Sequence, residues 1–334
     1  MATIHGGQVA GRQLARAGIS TVFGVVAGPM IEVFAGAQEE GLQVIGCRHE
    51  MNGGFMASAW GYQKRKPGVL IVGSGPAASN TLTPLYVATQ SAMPLVVLGG
   101  SAFRQTTGLG GFQEADQVAM TQAGCKWVGR VDSTQRIGEW IHLALCKAVE
   151  GRPGGVYLDF PGDVVAAEIP EEEARYRDAP QISRAYPEPA AVDKMAEALA
   201  SAERPLVIVG KGAAWSDAGP ALQRIVDLGI PYLCSPMARG TLPDDDPHFV
   251  GGARSAALGE AEAVVMFGGR FNWIFGHGRR FAPEAQLMQV DVEAEELASG
   301  APLSLGVVAD ASAAAEQLAD ALQNRSLRTN PKNW

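Results

Sequence analysis

Two short runs of uninterrupted apolar residues, Val69–Val72 and Leu95–Leu98, constrain the fold of this chain most strongly. A strand with one wet face alternates polar and apolar side chains, so a strand that is apolar at every position is covered on both faces. Helix-length segments separate such runs, which predicts a parallel sheet flanked by helices. In the first half this reading gives helices Gln8–Ala17, Met30–Glu39, Glu50–Lys64 and Ile137–Ala148, and a further helix beginning near 78–81. The strands read there are Thr21–Val26, Leu42–Cys47, Gly68–Val72, Pro94–Leu98 (ended by Gly99-Gly100) and Val156–Phe160. Glu168–Pro189 is rich in Glu, Arg and Pro and has no sustained period, as expected of an extended linker. A second alternation follows, with strands Pro205–Val209, Pro231–Cys234, Ala263–Phe267 and Leu287–Val290 and helices Ala218–Leu228 and Ala311–Leu322. The expected fold class is therefore α/β, with two doubly wound, mainly parallel-sheet domains at 1–166 and 191–323. Residues 167–190 form the linker and 324–334 a polar tail, mobile or held at an interface.

Composition removes several classes of function. The 334 residues carry 27 Lys+Arg against 35 Asp+Glu, a formal net charge of −8, with no dense basic run. That balance argues against nucleic acid or a membrane surface as partner. Hydrophobic residues make up 47% and charged residues 19%, too apolar for disorder. Cys47, Cys125, Cys146 and Cys234 lie far apart without metal-ligand spacing, which suits reduced thiols in a cytoplasmic protein. The first residues contain no apolar signal region, and no stretch is long and apolar enough to span a bilayer.

In an open parallel sheet, ligands bind beyond the carboxyl ends of the strands. Four segments of the first domain fall at such ends: Gly24–Met30, Cys47–Glu50, Gly73–Asn80 and Gly99–Ser101. Glu50 opens a helix, where a carboxylate suits the helix dipole; standing alone it reads first as a solvated first-turn residue. Ser74-Gly75-Pro76 with Asn80 forms a helix-opening turn whose N–H groups suit an anion, a common arrangement of low specificity. Gly108–Gln117 reads as a loop anchored by a buried Phe112, followed by Gln113 and Glu114. His49 is either a substrate contact or structural, His277 a loop residue, and Cys47 a packed thiol rather than a nucleophile. Trp60 and Tyr62 read as core or interface.

Taken in order, Arg48-His49-Glu50, GYQKRKPGVLIVGSGPAASN, GFQEADQ and GRPGGVYLDFPGDV resemble the pyrimidine-binding domain of thiamine-diphosphate (ThDP) enzymes over residues 4–165. The likeness is to the acetolactate synthase and oxalyl-CoA decarboxylase group. It implies that Glu50 hydrogen-bonds N1′ of the aminopyrimidine, favouring the 4′-imino tautomer that takes the thiazolium C2 proton. It also implies that Val25, Val26, Gly28, Ser74, Gly75, Pro76, Asn80 and Gln113 line the cofactor and substrate cleft. One departure is Gly75-Pro76-Ala77 where the family has Gly-Pro-Gly; a Cβ at Ala77 requires negative φ there.

The second half contains RPLVIVGKGAAWSDA, IPYLCSPMARGTLPDDDPHFVGGARSAAL, GGRFNWIFGHG and LMQVDVEAEEL. It is similar to the middle domain of 2-hydroxyacyl-CoA lyases and oxalyl-CoA decarboxylases, which implies ADP or the nucleotide end of CoA near Gly210, Lys211, Gly212, Arg254, Arg270, Asn272 and Asp291. A vestigial, empty nucleotide fold is the alternative.

ThDP enzymes also hold the cofactor's diphosphate through Mg²⁺ on a Gly-Asp-Gly…Asn-Asn domain, and this sequence contains no Gly-Asp-Gly. Pro161-Gly162-Asp163-Val164 has the wrong continuation. The start at Met1 and the polar tail favour, over truncation, one subunit of a split enzyme whose partner chain carries the diphosphate and Mg²⁺ site. The expected activity is carbon–carbon cleavage or ligation next to a CoA thioester, inactive without the partner, with an acyl-CoA substrate and self-association. The rival expectations are an acetolactate synthase-like subunit with FAD in the middle domain, and a non-catalytic nucleotide-binding scaffold.

Overall fold

A computed structural model describes residues 2–180 and 182–329. The chain divides into two compact units, Met1–Gln181 and Ile182–Trp334. Both are parallel α/β folds, as the apolar strands require.

The first unit runs β1 (Thr3–His5), α1 (Gly6–Arg16), β2 (Thr21–Gly24), α2 (Ile31–Glu39), β3 (Gln43–Gly46), α3 (Glu50–Lys64) and β4 (Gly68–Val72). It continues with α4 (Pro76–Ser79), α5 (Leu82–Gln90), β5 (Leu95–Ser101), α6 (Gln117–Gln122), β6 (Trp127–Arg130), α7 (Ile137–Val149), β7 (Gly155–Pro161), α8 (Gly162–Ala166) and β8 (Glu168–Pro170). Six strands form a sheet in the order β3-β2-β4-β5-β7-β6, all parallel. Every residue of β4 and β5 is buried, with one apolar cluster on each face of the sheet. Each large aliphatic side chain so buried contributes on the order of 1.5–3 kcal/mol.

The chain leaves β2 toward β3 on one side and returns to β4 on the other. The carboxyl ends of β2 and β4 therefore flank a topological switch point, where a crevice forms. Glycine permits that closeness: a Cβ on Gly24 would lie 2.4 Å from the Ile71 carbonyl oxygen.

The strand after Pro94 does not stop at Gly99-Gly100 but runs through them to Ser101. These glycines make room for neighbours, since a Cβ on Gly99 would sit 2.1 Å from the Tyr157 hydroxyl. The expected linker 167–190 does not run free throughout. Its first residues form β8, paired antiparallel with β1, because an end strand of the chain needs a partner for its N–H and C=O groups.

The second unit contains α9 (Pro189–Ser201), β9 (Pro205–Val209), α10 (Lys211–Trp215), α11 (Gly219–Val226), β10 (Tyr232–Cys234) and α12 (Arg254–Glu260). There follow β11 (Ala263–Phe267), β12 (Gln286–Asp291), α13 (Ala294–Ala298), β13 (Leu305–Val308) and α14 (Ala311–Gln323). Its parallel sheet has the order β10-β9-β11-β12-β13, with a second switch point between β9 and β11. The described part of the tail is tied down: Arg325 pairs with Glu197 and Asp193, and the Arg328 N–H donates to the Ala200 carbonyl. Residues 330–334 of the expected tail lie outside the described residues. Among the described residues no helix is long and apolar enough to cross a membrane.

Candidate active site

The first crevice is built by three loops. After β2 the chain passes Val25, half-buried, then Val26 and Gly28, both exposed, with open space where a Gly28 Cβ would stand. After β4 comes Gly73, whose close approach to Ala27 brings this loop against the first: a Cβ at 73 would be 2.5 Å from that of Ala27. Next, Gly75 adopts φ +55° and ψ −106°, a conformation that only glycine reaches cheaply, and turns the chain into α4. Pro76 occupies the first helical position, where its missing N–H is not needed. Ala77 lies inside this helix and is not among the residues of positive φ, so the departure from Gly-Pro-Gly carries no backbone strain.

The third loop presents Glu50. His49 caps α3 in extended conformation, its Nδ1 accepting the Met51 N–H at 3.1 Å. Glu50 follows in the first turn, half-buried, and its Oε2 accepts a hydrogen bond from Asn80 Nδ2 at 2.8 Å. Two residues thirty positions apart, named from sequence for one site, thus meet at the rim. Among the described residues Oε1 accepts no hydrogen bond, which leaves that oxygen for a ligand.

Ser74, buried, directs its hydroxyl at Gln113 Oε1, 3.4 Å away. Phe112, expected to anchor its loop, is instead 87% exposed. The anchor is electrostatic: the Glu114 carboxylate accepts the N–H groups of Gly108 and Gly111, which hold it below the usual carboxylate range. Cys47 donates weakly to the Ile45 carbonyl, and burial pushes its thiol up, as packing rather than nucleophilic duty requires.

Beneath the rim lies a polar cluster that sequence reasoning missed. Gln117 and Asp159 are fully buried. Gln117 Nε2 donates to the Gly100 carbonyl (3.0 Å), the Tyr157 hydroxyl (2.8 Å) and Asp159 Oδ1 (3.0 Å), while its Oε1 accepts the Gly75 N–H. Asp159 Oδ2 accepts from Ser101 Oγ and Arg130 Nε, each at 2.8 Å. The signal was a single acid within the apolar run YLDFP, since a buried carboxylate demands partners.

The second crevice collects Gly210, Lys211, Arg270, Asn272 and Asp291 at or just beyond the ends of β9, β11 and β12. Several of their groups serve the fold itself. The N–H groups of Gly210 and Gly212 donate to the carbonyls of Phe267 and Gly268, at 2.8 and 2.7 Å. Arg254 stacks on Phe275 and donates to the Ile274 carbonyl at 2.9 Å; burial, with Arg280 nearby, lowers its pKa. Asn272 Oδ1 accepts the Ile274 N–H, Arg270 stands 3.7 Å from Glu296, and Asp291 Oδ1 accepts the Glu293 N–H. His277 is a loop residue with φ +54°.

A half-buried carboxyl with one oxygen open, beside glycine-lined walls, fits the ring nitrogen of a flat heteroaromatic group such as the pyrimidine of thiamine. Among the described residues no cluster of three or more His, Cys, Asp or Glu could hold a metal ion.

Comparison with known proteins gives concordant findings. Residues 4–120 match the family model described as thiamine pyrophosphate enzyme, N-terminal TPP binding domain, and residues 192–318 match its central domain. The chain is 38% identical to oxalyl-CoA decarboxylase of Escherichia coli (strain K12), over 95% of this chain and 57% of that protein. It is 36% identical to 2-hydroxyacyl-CoA lyase 1 of Mus musculus, over 94% of this chain and 55% of that protein. An acetolactate synthase large subunit of Mycobacterium tuberculosis is 33% identical, over 95% of this chain and 58% of its own length. The chain thus spans little more than half the length of these relatives. The two matched domains, which together cover most of the chain, show that it belongs to the thiamine pyrophosphate enzyme family.

Proposed function

We propose that this chain supplies the pyrimidine half of a ThDP site for making or breaking the carbon–carbon bond next to a CoA thioester. The observation that carries the reading is the Asn80–Glu50 pair at the switch-point rim. The Asn80 amide marks Oε2 as the accepting oxygen of the carboxyl group, so Oε1 would be the oxygen that faces N1′ of a bound pyrimidine and shares a proton with it. Bound ThDP supplies a nucleophilic carbon and an electron sink. The chain's own part would be to orient the ring, through the walls at Val25, Val26, Gly28 and the Ser74-Gly75-Pro76 turn. Gln113, whose Oε1 lies 3.4 Å from the Ser74 hydroxyl, would line the same cleft.

The diphosphate and its Mg²⁺ are held, in this reading, by a partner chain that carries the diphosphate-binding domain, and this chain is inactive without it. The extra length of the relatives supports a further domain. The higher identity to the two CoA enzymes than to acetolactate synthase favours an acyl-CoA substrate over a 2-oxo acid. The nucleotide end of CoA, or ADP, would lie near Lys211, Arg270 and Asp291, with Arg254 and Asn272 shaping the adjoining loop. Self-association would use Phe55, Met56 and Trp60 of α3 and Tyr86 of α5, which are apolar and exposed.

Mixing the chain with the partner, ThDP, Mg²⁺ and a 2-hydroxyacyl-CoA should give cleavage next to the thioester. Preferred turnover of pyruvate would favour the acetolactate synthase reading. Absence of ThDP binding in every mixture would overturn the proposal.

A further inference from the structure

We infer that Gln117 is the positioning residue of this crevice: its buried amide holds the Gly75 turn, and through α4 the Asn80–Glu50 pair, to the acid at Asp159. The inference rests on the ThDP reading of Glu50 and adds the device that sets its geometry.

The orientation of the Gln117 amide is dictated by its surroundings. Its NH₂ faces three acceptors, the Gly100 carbonyl, the Tyr157 hydroxyl and the Asp159 carboxylate, so the nitrogen can point nowhere else. The oxygen is thereby aimed at the Gly75 N–H. That N–H belongs to a residue at φ +55°, a turn that needs an external hold to stay in place. From Gly75 the path to Glu50 is one rigid turn of helix. The Ser79 N–H donates to the Gly75 carbonyl at 2.9 Å, the Asn80 N–H to the Pro76 carbonyl at 3.0 Å, and the Asn80 side chain to Glu50 at 2.8 Å.

The charge balance is also closed. Asp159 is paired with Arg130 of β6, whose side chain reaches the surface. Burial, with Asp159 nearby, pushes the Tyr157 hydroxyl well above its ordinary value, and burial pushes the Cys125 thiol up to about 12. Asp159, paired on its far side with Arg130, is therefore the acid that faces the amide, and a neutral residue that both donates and accepts is required between that acid and Gly75. Methionine would fill the space and do neither. A glutamate would do both only while protonated.

The test uses the full chain assembled with its diphosphate-binding partner and reads ThDP affinity and amide hydrogen exchange in wild type, Gln117→Met and Gln117→Glu. For Gln117→Met, exchange of the amides of Gly75 and residues 77–80 should quicken and ThDP binding weaken, each about tenfold or more, while β4 stays protected. For Gln117→Glu, the introduced carboxyl mimics the amide when protonated and opposes Asp159 when ionised. Its ThDP affinity should approach wild type near about pH 5 and fall toward about pH 8 relative to wild type. A role confined to stability would loosen the turn at every pH without this titration. Wild-type affinity in both variants, or no added pH dependence in Gln117→Glu, would overturn the inference alone. A wild-type assembly that binds no ThDP would sink the functional reading and the inference together.

Discussion

Gly75→Ala is the substitution whose cost follows most directly from the geometry. With φ +55° and ψ −106°, Gly75 lies outside even the left-handed helical well, whose ψ is about +47°. A side chain there costs about 1–3 kcal/mol in backbone strain. The added Cβ would stand 2.5 Å from the Gln113 carbonyl oxygen and 3.1 Å from the Gln113 Cβ. Relieving that overlap costs about 1–3 kcal/mol more, reduced because the 108–116 loop is exposed and can give way. The sum is about 2–4 kcal/mol, a fall in Tm of about 4–16 °C for a unit of this size. Gly108→Ala is the control: its φ is +82°, yet nothing lies within 4 Å of the added Cβ, so it should lose only about 1–2 kcal/mol. Denaturation of the full chain, followed by amide exchange in β4 and β5, reads the first unit specifically. ThDP affinity of the assembled enzyme should fall with Gly75→Ala and hold with Gly108→Ala. Equal losses for the two variants would refute the argument that crowding against Gln113 adds to the backbone strain at Gly75.

Asp159→Ala should destabilise the first unit by about 2–4 kcal/mol in chemical denaturation, because Ser101 and Gln117 lose a buried acceptor while Arg130, half exposed, turns to water; Asp159→Asn should cost less. Glu114 is held below its ordinary 4.5 by the N–H groups of Gly108 and Gly111. The staple should therefore be complete above that value and be lost as the pH falls through the lower folded pKa, read as exchange protection of the Gly108 and Gly111 amides after correction for intrinsic rates. Glu114→Gln should weaken that protection at neutral pH. Ala77→Gly, which restores the family's usual glycine, should lower stability by about 0.5–1 kcal/mol in thermal unfolding, because Ala77 sits in a helix with no need of positive φ.

The sheet strands were legible because burial on both faces dictates composition: Gly68–Val72 and Ala263–Phe267 were bounded from sequence as they stand in the fold. Helix α3, from Glu50 to Lys64, was equally plain, although its cap at His49 was not read from the sequence. Strand β6 escaped because Trp127–Arg130 lies at the sheet edge and ends in a charge, and β1 and β8 because three residues carry no period. Gly99-Gly100 was taken for punctuation, whereas its smallness serves the Tyr157 ring and the Met30 side chain. At the site, Glu50 and Asn80 were named through family resemblance rather than periodicity. Gln117 and Asp159 were not, because their meaning arises only when α6 and β7 meet; neither side chain has a partner adjacent in sequence. Phe112 misled because an aromatic among glycines reads as an anchor, while the hydrogen bonds that close its loop belong to Glu114.

The most direct measurement is the rate at which the C2 proton of bound ThDP exchanges with deuterium, followed by NMR in the assembled enzyme with wild-type chain and with Glu50→Ala. A proton held at Glu50 toward the pyrimidine should make wild-type exchange faster by about a hundredfold or more, as removal of a positioned general acid–base group usually does. Equal exchange rates, with ThDP bound to both proteins, would contradict the role assigned to Glu50 and with it the account of this crevice.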